Sequence, residues 1–523
     1  MSNFISWNFR HSVASVLALG IGASALSAEA SPLIEIAGGV IGDSGHNGRF
    51  TGSDASAAYF NPANLSRTAN GINVGILVIH DSLSLRLGAR DAVNNIEDAD
   101  RTVIFNSGQN LGGSIPLPTQ YLYDGCANVQ SSTCNLTGTP RQSQGSSGNT
   151  RAYATLGFTN KIVDQYLHAG FYALLPLGTF TQGKTFFADE REQYFSNSLH
   201  PELMSDRLLA PSLAFGLSSS PIPNLTLGLS FTIALLANAQ AVVYTPEPNA
   251  LDNSLLLSLD MGVVAKAAPH FAIAYDPIPG LRISGTVHSP SRFDIDMDFG
   301  TLLQDSSFQI ASRRMTFDYN PWMFGLGVEY VHELYGDLAL TLTGGITYEL
   351  WSNYVDRYRQ EALPGYEWSN TVTPSIGARL GNGVWTTGLD LKYVPTPIPV
   401  QTGRTNYVGN NKALANLLVD YRFTAGKLNL GVGANFQAHF MQARMNTKLP
   451  PRTDGVIRDP SNPLYGQNFN PNRVIDEVPD DTRHQVVENY TGNVGLQTNN
   501  PGWPWFESTG FMFAGSAYLS IYY

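Results

Sequence analysis

The chain has 523 residues and a formal net charge of −11, and only 14% of its residues are charged, against about 25% in ordinary soluble proteins. Glycine (50 residues), phenylalanine (26) and tyrosine (24) are abundant. The acidic balance argues against a nucleic-acid partner, which would need an excess of basic residues. The length alone fits several soluble domains or one large closed architecture. The choice between these two fold classes therefore depends on the pattern of apolar and polar residues along the chain.

The N-terminus has the features of a secretory leader. Arg10 precedes the apolar run 12–26, and small residues follow at Ala28 and Ala30. This order predicts a signal peptide over residues 1–30, because the apolar run is shorter than the roughly 20 residues that a spanning helix needs. No later stretch is continuously apolar over about 18 residues, so we expect no transmembrane helix.

Residues 31–70 contain many small residues and several apolar ones, but no long alternating stretch. Irregular backbone is tolerated at membrane depth where protein and water surround it, as in the lumen of a barrel. We therefore predict that this stretch is a lumenal plug, or hatch, if the strands that follow close into a barrel. A disordered periplasmic tail is the alternative, although the stretch is more apolar than most tails.

The rest of the chain, residues 71–523, alternates apolar and polar residues with a period of two. The stretches 225–235, 338–350 and 428–440 are examples, and only β-strands have this periodicity. They run for eleven residues or more, whereas soluble strands usually have 5 to 6 and bilayer-crossing strands about 9 to 11. Roughly fourteen such segments start near residues 72, 152, 167, 207, 225, 263, 281, 315, 338, 371, 384, 412, 428 and 511.

The connections between these strands alternate in length. Short ones, such as Asp276–Gly280 and Gly381–Gly383, separate long ones, such as 88–150, 300–314 and 447–508. Short periplasmic turns, long external loops and an even strand number are typical of outer-membrane barrels. The predicted fold is all-β: a transmembrane antiparallel β-barrel of about fourteen strands with an N-terminal lumenal hatch. A large soluble β-sandwich or propeller is the alternative.

The two cysteines, Cys126 and Cys134, have seven residues between them and lie within a polar, loop-like stretch. In an exported protein, this spacing predicts a local disulfide. Free or metal-binding thiols are the alternative. No histidine or second cysteine pair lies near them, so the sequence does not indicate a zinc site.

Three motifs carry a family resemblance. They are GSDASAAYFNPANLS (residues 52–66) with Gly38-Gly39 upstream, Pro176-Leu177-Gly178 near the end of the third strand, and DPIPGLRISGTVHSPSRFDI (residues 276–295). Their order and spacing on a fourteen-strand pattern resemble the outer-membrane fatty-acid and hydrocarbon transporter family (FadL/TodX-type). The long first and last external loops differ from the family pattern, and these are the loops where the family captures its ligand.

The resemblance implies ligand capture at the outer loops, transfer to a lumenal pocket and release after the hatch moves. It places hatch and gating roles on Asp54, Asn61, Pro62 and Ala63. It also implies a kink in the third strand that opens laterally into the membrane. Pro176 and Gly178 fit this kink, because proline cannot donate to a strand ladder and glycine marks bulges; a simple strand end is the alternative.

Several charged residues share the inward parity of the strands. Among them, Arg282, Arg379 and Lys392 are candidate lumenal ligand contacts, since a cation could bind a fatty-acid carboxylate by charge-assisted hydrogen bonds. The alternative is that these residues form ion pairs with one another within the lumen. We favour this alternative, because the inward-facing residues include both bases and acids. The acids of this set are Glu329, Glu349 and Asp390.

The sequence does not indicate catalysis or a cofactor. Residues 178–185, GTFTQGKT, match the phosphate-loop pattern, but the required strand–loop–helix context is missing. The ten histidines are scattered and suggest no metal site. We therefore expect an exported, monomeric barrel, in contact with outer-membrane lipid, that takes up a hydrophobic small molecule. A general diffusion porin and a structural or adhesive barrel are the alternatives.

Overall fold

The computed structural model describes residues 32–87, 144–145, 149–163, 166–178, 187–188, 198–201, 211–245, 256–303, 306–354, 367–399, 407–447 and 505–523. The predicted signal peptide and the predicted disulfide between Cys126 and Cys134 lie outside these residues.

Long strands dominate the described chain. Four shorter strands lie at Gln144–Gly145, Phe187–Ala188, Ser198–Pro201 and Tyr407–Val408. The long strands, in chain order, are β1 (Gly71–Leu87), β2 (Asn149–Val163), β3 (Leu167–Pro176), β4 (Ser212–Ile222), β5 (Leu225–Thr245), β6 (Leu256–Ile278), β7 (Leu281–His288), β8 (Ser291–Leu303), β9 (Ser306–Asn320), β10 (Met323–Glu333), β11 (Ala339–Glu349), β12 (Thr371–Gly381), β13 (Trp385–Val394), β14 (Lys412–Ala425), β15 (Leu428–Thr447) and β16 (Trp505–Tyr522).

Fourteen of these strands form a closed antiparallel ring, which confirms the predicted barrel. Each of β1–β7 and β10–β16 pairs with its neighbour along the chain, and β7 pairs with β10. The ring closes where β1 pairs with β16, from Gly71 opposite Tyr522 to Leu87 opposite Phe506. Closure leaves no unpaired edge among the barrel strands, as a bilayer requires.

The hairpin β8–β9 lies outside this ring and was not expected. The sequence predicted a long connection over 300–314 and a barrel strand from about residue 315. In the structure, β8 and β9 pair with each other, β8 also runs parallel to the end of β5, and the barrel strand β10 starts only at Met323. The alternating pattern is the same inside and outside the ring, so it could not separate them. Pro321 lies between the end of β9 and the start of β10, where a strand ladder is interrupted because proline has no backbone N–H to donate.

The outer wall of the barrel is apolar, and the inner wall is largely polar. On β1, Ile72, Val74 and Ile76 are exposed, whereas Asn73 and Leu77, on the opposite face of the strand, are buried. The same parity holds on the other strands predicted from their alternation: Phe231, Leu342 and Phe436 are exposed, and Thr232, Thr343 and Gln437 are buried. The exposed apolar wall is the surface that a transmembrane barrel presents to lipid. No helix in the described ranges is long and apolar enough to cross a membrane.

Tight turns join the strands at the end of the barrel that carries Gly71 and Tyr522, as the short connections in the sequence predicted. Each of five turns contains one residue with φ between 63° and 80°, in the left-handed region that tight hairpins need. These residues are Asn224, Gly280, Gly336, Gly383 and Gly426.

The N-terminal segment, residues 32–67, packs against the inner wall. It contains helix α1 (Pro32–Ala37), helix α2 (Ala57–Phe60) and a 3₁₀ helix (Pro62–Arg67). Leu33, Ile34 and Ile41 are fully buried and form the main apolar core with inward side chains of the wall, such as Tyr153 and Tyr172. The largest apolar cluster of the described residues thus lies between this segment and the wall rather than between strands.

Candidate functional site

Asn61 holds the bend of the N-terminal segment together. Its side chain is fully buried. The Nδ2 atom donates to the carbonyl of Arg49 (2.8 Å), and Oδ1 accepts from the backbone nitrogen of Ala63 (3.2 Å). Pro62 starts the 3₁₀ helix with Asn61 as its cap, and a proline keeps the residue before it out of the helical region. The Asn-Pro-Ala motif therefore fixes a turn and ties two parts of the segment.

The inner wall makes room for this bend with a glycine. A Cβ atom placed on Gly228 of β5 would lie 2.2 Å from the nitrogen of Ala63 and 2.4 Å from the carbonyl carbon of Pro62. Backbone atoms cannot turn away as a flexible side chain can, so only glycine fits here. Lumenal glycines also accept other side chains of the segment: Gly327 and Gly345 face Phe50, and Gly170 faces Leu65. The sequence showed many glycines, but not which of them face the segment.

Asp54, which the motif resemblance placed in the hatch, closes a loop of the segment on itself. Its carboxylate accepts from the backbone nitrogen (2.9 Å) and hydroxyl (2.5 Å) of Ser44 and from the backbone nitrogen of Ser56 (2.7 Å). Burial, together with the nearby charge of Asp43, raises the pKa of Asp54 to about 6. The loop thus contains a carboxyl group that titrates close to neutral pH.

Arg379 and Asp390 clamp the segment from the opposite wall. Their side chains form two hydrogen bonds, of 2.7 and 2.9 Å. Arg379 also donates to the carbonyls of Asp43 (2.8 Å) and Ser44 (3.1 Å), and the backbone nitrogen of His46 donates to Asp390 (3.0 Å). Burial, with Lys392 nearby, lowers the pKa of His46 to about 4. The donors of Arg379 are therefore used by the clamp, which supports ion pairing at this candidate residue.

Arg282 lies at the turn end of the barrel, where its Nη1 atom contacts Asp276 at 3.1 Å. In the strand register Arg282 is opposite Glu329, which binds Arg67 of the 3₁₀ helix at 2.7 Å. The structure therefore separates the three candidate ligand contacts. Arg379 holds the segment, Arg282 lies at the turn end, and Lys392 lines a cavity.

That cavity lies between helix α1 and the ends of strands that lead into the long connections. It has a volume of about 720 Å³, including its open side. Its wall combines apolar residues with a few charged ones. The apolar residues include Ile36, Met323, Trp351, Val394 and Leu414, and the polar ones are Glu35, Glu349, Lys392, Lys412 and His439.

The two lysines of the cavity differ from its two carboxylates in their partners. The ammonium groups of Lys392 and Lys412 form no hydrogen bond or ion pair with any residue that the structure describes. Glu349 accepts from Trp351 Nε1 at 2.7 Å, and Glu35 pairs with Arg49 and accepts from Tyr59 at 2.5 Å. Burial alone would raise the pKa of Glu35, but Arg49 and Lys392 outweigh it and lower the value. The cavity therefore offers two ammonium groups to an anion.

The candidate residues of the lateral opening lie at the upper end of β3. Pro176 is its last residue and lies opposite Tyr153 of β2. The nitrogen of Leu177 still donates to the carbonyl of Ala152 (2.8 Å), and no atom lies within 4 Å of a Cβ placed on Gly178. Residues 179–186 lie outside the described ranges, so the lateral opening stays a prediction.

Comparison with known proteins finds similarity only among solved structures. No family model and no curated protein matches the chain. The chain is similar to a Pseudomonas aeruginosa FadL homologue, with 14% identity, a TM-score of 0.49, and 91% of this chain and 95% of that chain covered. For the P. putida toluene transporter TodX the identity is 11% and the TM-score 0.42, with 95% of this chain and 99% of that chain covered. For the Ralstonia pickettii toluene transporter TbuX the identity is 11% and the TM-score 0.41, with 95% of this chain and 100% of that chain covered. The N-terminal motif of the chain resembles that of FadL/TodX-type outer-membrane transporters.

Proposed function

We propose that the protein is a gated outer-membrane channel for hydrophobic compounds, with long-chain fatty acids as the first substrate class and aromatic hydrocarbons as the second. The observation that carries the proposal is the position of the N-terminal segment. It packs against the inner wall from several sides, through Pro62 and Ala63 against Gly228 on one side and through the contacts with Arg379 and Asp390 on the other. A general diffusion porin would instead need a lumen open to polar solutes.

The cavity favours an anionic amphiphile over a neutral hydrocarbon. Its apolar residues suit an alkyl chain, and Lys392 and Lys412 suit a carboxylate, because charge-assisted hydrogen bonds are the strong ones. Mostly apolar walls with a few polar groups are typical of small-molecule sites. A fatty acid would use both parts of the cavity, whereas toluene would use only the apolar part.

Transport in this proposal has three steps. The ligand enters from the long connections, binds in the cavity above helix α1, and passes when the N-terminal segment, acting as a hatch, moves from the wall. The turn at Asn61 and Pro62 and the loop around Asp54 belong to the part that moves. Release into the membrane through a lateral opening near Pro176 and Gly178 would complete the path.

Uptake by cells tests the function. Cells with and without the protein, and with a variant that lacks residues 31–70, would be supplied with labelled long-chain fatty acid or with toluene. We expect protein-dependent uptake of the fatty acid, and we expect the deletion to make the channel leak ions. Uptake of both compounds that does not depend on the protein would refute the proposal.

Binding to purified protein tests the substrate class. The double variant Lys392→Met/Lys412→Met should bind a long-chain fatty acid at least about tenfold more weakly, because two charged hydrogen bonds are lost. Binding of the alcohol of the same chain length should not change. The double variant Lys161→Met/Lys427→Met, which changes two exposed lysines, is the control. Equal losses for acid and alcohol would argue against a carboxylate site.

A further inference from the structure

The carboxylate of Glu329 is one of the main contacts between the barrel wall and the N-terminal segment. Glu329 lies on β10 with 2% of its surface exposed. One oxygen accepts from Arg67 Nη1 at 2.7 Å, and the other accepts from the hydroxyl of Thr51. Both partners belong to the segment. Movement of the segment would therefore leave a buried carboxylate without either partner, which is costly inside a protein.

A replacement partner faces Glu329 from the next strand. Arg282 on β7 is directly opposite Glu329 in the antiparallel register, and side chains at opposite positions have Cβ atoms about 5 Å apart. The Nη1 atom of Arg282 contacts Asp276 at 3.1 Å. Its Nε and Nη2 atoms are buried and make no hydrogen bond to any described residue. These two atoms form the flat pair of donors that binds a carboxylate in a bidentate manner.

The neighbouring charges leave Glu329 as the carboxylate that fits this pair of donors. Arg67, Asp276 and Glu329 are the charged groups that act on Arg282. Asp276 already holds Nη1, and its side chain is 37% exposed, whereas that of Arg282 is 7% exposed. While the segment is docked, Arg67 and Thr51 hold Glu329. Arg282 thus has two unused donors beside a carboxylate whose present partners both lie on the segment.

We propose that Glu329 exchanges partners when the segment moves: it leaves Arg67 and Thr51 and pairs in a bidentate manner with Arg282. This inference rests on the proposed function, in which the segment moves during transport. The exchange keeps the carboxylate paired in both states, so the wall has a stable arrangement for the docked and the released segment. Arg282 then acts as a positioning residue for gating rather than as a ligand contact.

Hydrogen exchange of the segment in the purified, full-length protein tests the proposal without any ligand. The amides of residues 57–61, which are hydrogen-bonded within the segment and buried while it is docked, report how often it is released. Arg282→Gln should slow their exchange by about tenfold, because the released state loses a charged hydrogen-bond pair. Arg282→Lys keeps the charge but not the planar pair of donors, so it should slow exchange by a smaller factor. Glu329→Gln weakens both the docked contacts to Arg67 and Thr51 and the released pair with Arg282, so its exchange rate is the reference for the double variant.

The decisive measurement is the double variant Arg282→Gln/Glu329→Gln. The proposal requires that it exchange at the rate of Glu329→Gln alone, because Arg282 has no partner to gain. Arg282 also repels Arg67 in the docked state, and relief of that repulsion would instead slow exchange equally in both backgrounds. Equal slowing, or no slowing by Arg282→Gln, would overturn the proposal. Arg444→Gln is the control, since Arg444 donates to the carbonyls of Ile398, Pro399 and Gly409, which lie outside the segment, and should leave the segment unchanged.

A cross-link separates this inference from the proposed function. Ala55 of the segment and Gly157 of β2 are adjacent, with 2.7 Å between Ala55 Cβ and a Cβ placed on Gly157, so cysteines there need a shift of about 1 Å to form a disulfide. If the cross-linked protein still took up fatty acid at the full rate, gating by the segment would fail, and the partner exchange with it. If the cross-link blocked uptake but Arg282→Gln did not slow exchange, only the partner exchange would fail.

Discussion

Replacing Gly228 with alanine is the smallest change that should open the lumen. The new Cβ would lie 2.2 Å from the nitrogen of Ala63, whereas ordinary contacts begin at 3.4 Å. The backbone of the Asn-Pro-Ala turn must therefore move away by about 1 Å, and overpacking of this kind costs about 1–3 kcal/mol. The equilibrium population of the released state of the segment should therefore increase by a factor of about 5 to 150. The strand pairs of β5 should remain, since alanine is tolerated in strands.

Two measurements on this variant check the reasoning. Hydrogen exchange over residues 57–67 should accelerate by the same factor, and ion conductance in planar bilayers should increase. Gly344→Ala is the control, because the nearest atom to a Cβ there lies 3.9 Å away. Unchanged exchange in Gly228→Ala, or equal acceleration in the control, would show that the turn does not need a glycine at position 228 of the wall.

Three other substitutions test the segment. Asn61→Ala removes two buried hydrogen bonds within the segment and should destabilise its bend by about 1–2 kcal/mol. It should slow uptake but keep the heat-resistant mobility of the barrel on a gel, and loss of that mobility would contradict the separation of segment and barrel. Asp390→Asn weakens the hydrogen bonds that this carboxylate accepts from the backbone nitrogen of His46 and the side chain of Asn47, so about 1.5–3 kcal/mol of docking should be lost, seen as faster exchange over residues 43–47. Because its pKa is raised to about 6, Asp54 makes docking weaker as pH rises from about 4 to 6, by up to about 3 kcal/mol. Asp54→Asn should remove this part of the pH profile, and identical profiles would refute it.

The barrel could be predicted because its two faces meet different surroundings. Lipid outside and polar groups inside impose a strict alternation, which Phe231 and Thr232 of β5 illustrate. The tight turns could be predicted as well, because proline, glycine and asparagine cluster at them. The hairpin β8–β9 was missed for the same reason that the barrel was found: its residues alternate like those of the ring, and periodicity does not say which strand is the neighbour.

The site was only partly predictable. The motif pointed to Asn61, Pro62 and Asp54, and the structure shows which atoms they contact. Lys412 was missed because it is the first residue of β14, where the parity of a strand is least defined. Parity gave Arg282, Arg379 and Lys392 the same inward direction, but it could not tell which carboxylate each would meet. Those partners depend on how the segment folds, and residues 31–70 carry no period that predicts it.

The seam between β1 and β16 also bears on how the protein assembles. Gly71, the first barrel residue, pairs with Tyr522 of β16, so the ring cannot close until β16 has been added to the other barrel strands. Contacts between such distant residues form slowly. Only residues 68–70 join the N-terminal segment to Gly71, so the segment is anchored at the seam where the ring closes. A chain that lacked β16 would keep two open strand edges, which favour aggregation, so the soundness of the wall depends on its last strand.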